Sequence, residues 1–137
     1  MLEPTEQTVV EKSNIPGFPD QQRKLWRRAD TGELMKLHDA PPGAMYYATW
    51  LEDIECMQKG PDGHVLMVVT PGGAWNTDSQ ASNCTMKQDT KHRCWCRHGT
   101  PPLVTCDKVG LTCAAGAGSI KKGSYHGFLT NGVLRQC

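Results

Sequence analysis

The sequence predicts a mostly β fold: a small antiparallel β domain, built as a sandwich or a partly open barrel, with an extended N-terminal arm carrying short helical turns. Three observations point there. First, 14 Gly and 9 Pro punctuate 137 residues, which favours short strands and turns over long helices. Second, "HVLMVVT" (64–70) is an apolar run of strand length that stops at "PGG". Third, Asn131-Gly132 stands between two apolar pairs in "FLTNGVL", a strong short-range hairpin signal.

Residues 1–43 form the arm. "EPTEQTVVEKSNIPGFPDQQ" holds Pro4, Pro16 and Pro19 and few bulky apolar residues, so it buries too little surface to order itself alone. A short helix is expected after Pro19, with Asp20 near its start and Leu25 and Trp26 as its apolar residues. Thr31-Gly32 marks a turn, and Pro41-Pro42-Gly43 a stop.

The β-rich domain then spans 44–137. "AMYYATWLEDIEC" (44–56) is rich in aromatic and strand-favouring residues. His64–Thr70 reads as a buried strand, "PGG" as a turn and Ala74–Asp78 as the returning strand. "SQASNCTMKQDTKH" is a polar loop. Residues 92–98 read as another strand, Leu103–Cys106 and Leu111–Cys113 as two short ones, and "AAGAGS" as a run open to unusual dihedrals. The last hairpin turns at Asn131-Gly132.

Charge is unevenly spread. Residues 1–40 carry six Lys/Arg against seven Asp/Glu, residues 41–80 one against five, and residues 81–137 eight against two. A basic final third following an acidic middle fits nucleic acid or an acidic protein surface, and equally a plain solvated surface. No stretch approaches the roughly 18 apolar residues of a membrane span. The N-terminus shows no basic region followed by an apolar core, so a cytosolic, reducing environment is expected.

Seven cysteines (56, 84, 94, 96, 106, 113 and 137) then suggest thiols or metal ligands ahead of disulfides. In "KHRCWCRHG" (91–99), His92, Cys94, Cys96 and His98 alternate with Arg93, Trp95 and Arg97. On a strand the four share one face, with Trp95 on the other. Same-face neighbours lie roughly 6–7 Å apart, so one straight strand brings at most two of them to one ion. The others must come from elsewhere, and Cys84 and Cys113 flank the stretch. Cys84, His92, Cys94 and Cys113 together offer tetrahedral N/S ligation suited to structural Zn²⁺, the one candidate cofactor. Buried thiols and a disulfide among Cys84, Cys94 and Cys113 stay open as alternatives.

Catalytic signals are weak. Cys94 or Cys96 with His92, His98 or His126 makes a conceivable Cys–His pair, and Ser119 precedes His126. There is no G-x-S-x-G elbow and no phosphate-binding lysine after the glycines. The tryptophans are best read as core or arm anchors. Trp95 between two arginines is a weak sign of base stacking.

"WNTDSQASNCT", "HRCWCRHGTPP", "TCAAGAGSI" and "YHGFLTNGVL", across residues 60–135, resemble an uncharacterised family of small proteins of tailed bacteriophages. The resemblance implies a phage gene product with no known activity. It also implies that Cys96 is replaceable by an apolar residue, leaving Cys84, Cys94 and Cys113 as the pairing or ligand candidates. "YHGFLTNG" is also distantly similar to a small metal-site domain found beside bacterial ubiquitin-like conjugation genes.

The expectation drawn from these residues is a non-enzymatic structural protein of the virion, most simply a head decoration or accessory protein assembled in the host cytoplasm. Its partners would be phage structural proteins such as the major capsid protein, with self-association as a further expectation and no role for membrane. Leu25, Trp26, Leu34 and Leu37 would anchor the arm on a neighbour. Two alternatives stand beside it: a Cys/His zinc module acting on a host protein in the infected cell, and a nucleic-acid binder using the basic final third.

Overall fold

The computed structural model describes residues 1–89, 91–108, 113 and 118–137. Among these the chain is mostly β, with three antiparallel sheets, none of them closed into a barrel. Two compact units divide it, Met1–Ala40 and Pro41–Cys137.

The N-terminal unit is a sheet, which corrects the expectation of an extended arm with helical turns. Strands β1 (Leu2–Glu11), β2 (Gln21–Arg28) and β3 (Leu34–Lys36) pair in that order. The segment after Pro19, expected to be helical, is β2. Its partners decide this, because Val9 faces Arg23 and Trp26 lies between Pro4 and Met35. Cross-strand charge pairs take the place of an apolar stripe. Glu11 on β1 accepts from Arg23 Nε at 2.7 Å and from Lys36 on β3. The one helical piece is a single 3₁₀ turn, Leu37–Asp39.

In the second unit, β4 (Met45–Tyr47), β5 (Leu66–Thr70) and β6 (Gly73–Asn76) form one sheet. The strand expected across 44–56 stops at Tyr47, and a 3₁₀ turn follows at Thr49–Leu51. The run 64–70 does give a strand with alternate residues buried, Leu66, Val68 and Thr70, and "PGG" gives the turn into β6. The other sheet runs β11–β10–β8–β7, with β9 also on β10. Its strands are β7 (Cys96–His98), β8 (Thr105–Asp107), β9 (Ile120–Lys122), β10 (Tyr125–Thr130) and β11 (Val133–Gln136). The expected strand 92–98 shortens to its last three residues. Leu111, Thr112 and most of "AAGAGS" lie outside the described residues.

Asn131 (φ 49°) and Gly132 (φ 78°) turn the β10–β11 hairpin with both central residues left-handed, as a two-residue loop requires. The two sheets of this unit meet where Gly72, in the β5–β6 turn, lies against Lys122 and Gly123. Met45, Val65, Leu66, Val68, Val104, Ile120 and Leu129 are fully buried, and together they form the core of the unit. Among the described residues no helix is long and apolar enough to cross a membrane.

Candidate metal centre

The loop between β6 and β7 carries most of the site. It is polar and glycine-free, and it folds by short local turns instead of strand pairing. Asn76 Oδ1 accepts from the Asp78 N–H at 2.9 Å, an Asx turn that ends β6. Backbone turns follow from Cys84 N–H to Ala81 O (3.0 Å), from Asp89 N–H to Met86 O (3.1 Å) and from His92 N–H to Asp89 O (3.1 Å). Gln80 ties the far end back, its Nε2 donating to Asp89 O at 2.8 Å and His92 O at 3.1 Å. The Cys94 N–H donates to Ser79 O at 3.1 Å, which sets Cys94 beside the start of the loop.

This folding brings together Cys84, His92, Cys94 and Cys113. One ligand atom from each lies within 4.8 Å of those of the other three. Cys94 Sγ is 3.7 Å from Cys113 Sγ and 3.7 Å from His92 Nε2. A tetrahedral ion bonded to sulfur at ~2.3 Å and nitrogen at ~2.0 Å sets its ligand atoms about 3.5–3.8 Å apart, whereas a disulfide needs about 2.05 Å. Both separations from Cys94 are compatible with a ligand shell and too long for a disulfide, and no pair in the cluster exceeds 4.8 Å. No disulfide joins the described cysteines.

The surroundings suit thiolates. The Met86 N–H donates to Cys84 Sγ at 3.2 Å. Lys108 Nζ donates to Cys94 O at 2.6 Å and stands 3.8 Å from Cys113 Sγ, a cation placed against a cluster that carries net negative charge once three thiols ionise around a dication. Without an ion, burial and the neighbouring thiols Cys84 and Cys113 push the Cys94 thiol up to about 11. A dication is what favours its ionised form.

Cys96 and His98 leave the cluster, because β7 begins only at Cys96. His98 is exposed and its Nε2 meets Asp107 Oδ1 at 2.9 Å. Trp95 is buried edge-on against Trp75, with ring centroids 4.9 Å apart, and its Nε1 donates to Gly118 O. Cys106, the middle residue of β8, is buried, and desolvation pushes its thiol up to about 12. Of the four arm residues, Trp26 is buried, Leu25 and Leu37 are half-buried, and Leu34 is exposed. Ser119 and His126 do come together, Oγ to Nε2 at 3.1 Å. Among the described residues no carboxylate bonds His126, so a third member that would orient the imidazole is missing.

The charge asymmetry has a partly internal explanation. Arg97, 4% exposed at its side chain, bonds Asp62 Oδ1 at 2.8 Å and Asp78 Oδ2 at 3.1 Å, while Arg93 stands 3.5 Å from Asp78 Oδ1. Two basic residues of the final third thus neutralise carboxylates of the acidic middle. Burial pushes the Asp78 carboxyl up against the pull of both arginines. Sequence reasoning missed this network, and Lys108 and Gln80 too. Nothing local in "NTD", "CDKV" or "DSQ" announces a distant partner.

Fold and site together define a small β-rich chain with a buried three-cysteine, one-histidine cluster. No family model, curated protein or solved structure matches it.

Proposed function

We propose that this protein is a non-enzymatic interaction module whose second unit is held by one structural Zn²⁺ on Cys84, His92, Cys94 and Cys113. The observation that carries the reading is the mutual 4.8 Å limit on four soft and borderline ligand atoms, three of them on buried residues. Four protein ligands fill a tetrahedron, and a closed shell is structural and not catalytic. The ion would join the β6–β7 loop to Cys113, which follows β8 in the chain. Metal analysis of the purified protein tests this, with one equivalent of zinc expected. Stripping it with a chelator should unfold the second unit, because binding energy here is folding energy. A metal-free protein that is fully folded refutes the reading.

A second reading places the module in a tailed-phage particle as a head decoration or accessory protein. It is supported by the phage resemblance and by the N-terminal unit, whose β1–β2 turn exposes Ile15 and Phe18. Mass spectrometry of purified particles, counting this chain against the major capsid protein, decides it. Absence from particles moves the module to a protein partner in the infected cell.

A further inference from the structure

Adjoining the metal cluster, with Cys94 on the shared wall, the second unit holds a cavity of about 540 Å³. Its walls divide by chemistry. Trp75 and Trp95 supply apolar surface, and Lys108, Lys121, Ser119 and His126 supply donors, with no Asp or Glu among its described lining residues. Register explains part of this grouping. Lys121 on β9 is the cross-strand partner of His126 on β10, and the turn between them returns the chain beside Ser119. Lys121 meets no carboxylate among the described residues, in contrast to Arg93 and Arg97 of the same basic third.

A water occupies ~30 Å³ of liquid, so the space is far larger than one water needs and falls within the 300–1,000 Å³ of small-molecule sites. The Lys121 ammonium, a hydroxyl and an imidazole without a competing carboxylate are matched to the oxygens of a phosphate, whereas Lys108 already donates to Cys94 O. The aromatic side and the volume leave room for a ring beyond that phosphate. We propose that this cavity binds a phosphorylated small molecule of mononucleotide size, with its phosphate toward Lys121, His126 and Ser119 and its ring toward Trp75 and Trp95. None of the four cluster residues is a proposed contact of the ligand, although Cys94 also lines the cavity.

The test is calorimetric titration of the full-length protein with adenosine monophosphate, inorganic phosphate and adenosine, with zinc content measured on the same sample. Saturable binding of the nucleotide is expected, with competition by inorganic phosphate and much weaker binding of adenosine. Lys121→Ala and His126→Gln, both at exposed strand positions, should each weaken it at least tenfold without changing zinc content, whereas Lys24→Ala should leave it unchanged. Three results overturn the proposal: no saturable nucleotide binding at millimolar concentration, binding of phosphate without the nucleotide, or nucleotide binding that both variants leave intact.

Discussion

Cys94 and Cys113 bring their sulfurs to 3.7 Å across a separation of 19 residues in the chain. That spacing is about twice a sulfur–sulfur bond and close to one edge of a sulfur tetrahedron around a 2.3 Å metal. The cluster therefore separates the cysteines into two classes. Cys94→Ser should lose zinc and lower the melting temperature of the second unit by ten degrees or more. Cys96→Ser, at a half-buried position outside the cluster, should keep the metal and melt within a few degrees of the parent. Metal content and circular dichroism on both variants check it.

Zinc uptake should also release protons. Thiols have an ordinary pKa near 8.5 and are mostly protonated at pH 7, whereas a ligating thiol is ionised. Adding zinc to metal-free protein near pH 7 should liberate close to three protons per ion, read by titrating in buffers of different ionisation enthalpy. Affinity should fall as the pH drops, because protons compete for each sulfur.

The Arg97–Asp78 contact predicts an asymmetric response to substitution. Asp78→Ala leaves Arg97 buried beside a single half-exposed partner, Asp62, and should cost about 3–5 kcal/mol, the typical cost of breaking a buried pair. Asp62→Ala removes a partly exposed carboxylate and should cost only on the order of 1 kcal/mol. Urea denaturation of the zinc-loaded protein measures both.

In the N-terminal unit, hydrogen bonds from Lys36 and Arg23 hold the Glu11 carboxyl down at about 2. A depressed carboxylate contributes stability above its unfolded value, near 4.5, and loses it as the pH falls toward 2. The Glu11 side-chain resonance should accordingly titrate far below the ordinary value of 4.5. Lys36→Ala should move it back toward 4.5, and an unmoved titration would break the assignment.

Hairpin chemistry gives a local test. Gly132 has φ +78° and lies against the Pro102 carbonyl, so Gly132→Ala combines strain with a clash and should cost about 1–3 kcal/mol. Val133→Ala, exposed one residue later, should cost well under 1 kcal/mol.

The contrast between these elements shows what sequence alone can carry. Asn131-Gly132, "PGG" and the run ending at Thr70 are legible because turn chemistry and apolar alternation are local. The four-residue cluster was legible for a different reason. Strand geometry forbids His92, Cys94, Cys96 and His98 from sharing one ion, and that sends the search to Cys84 and Cys113. β1 and β2 were not legible, because their faces are mostly solvated and their pairing rests on contacts such as Glu11 with Arg23, 12 residues away. The alternation in "HRCWCRH" also misled. It reads as one strand, yet β7 starts only at Cys96, and the loop before it bends His92 and Cys94 into the cluster.

X-ray absorption at the zinc edge on the purified protein tests the central claim most directly. The account predicts one equivalent of zinc with three sulfurs at ~2.3 Å and one nitrogen at ~2.0 Å. A shell of oxygen and nitrogen without sulfur, or a folded protein without zinc, would contradict it.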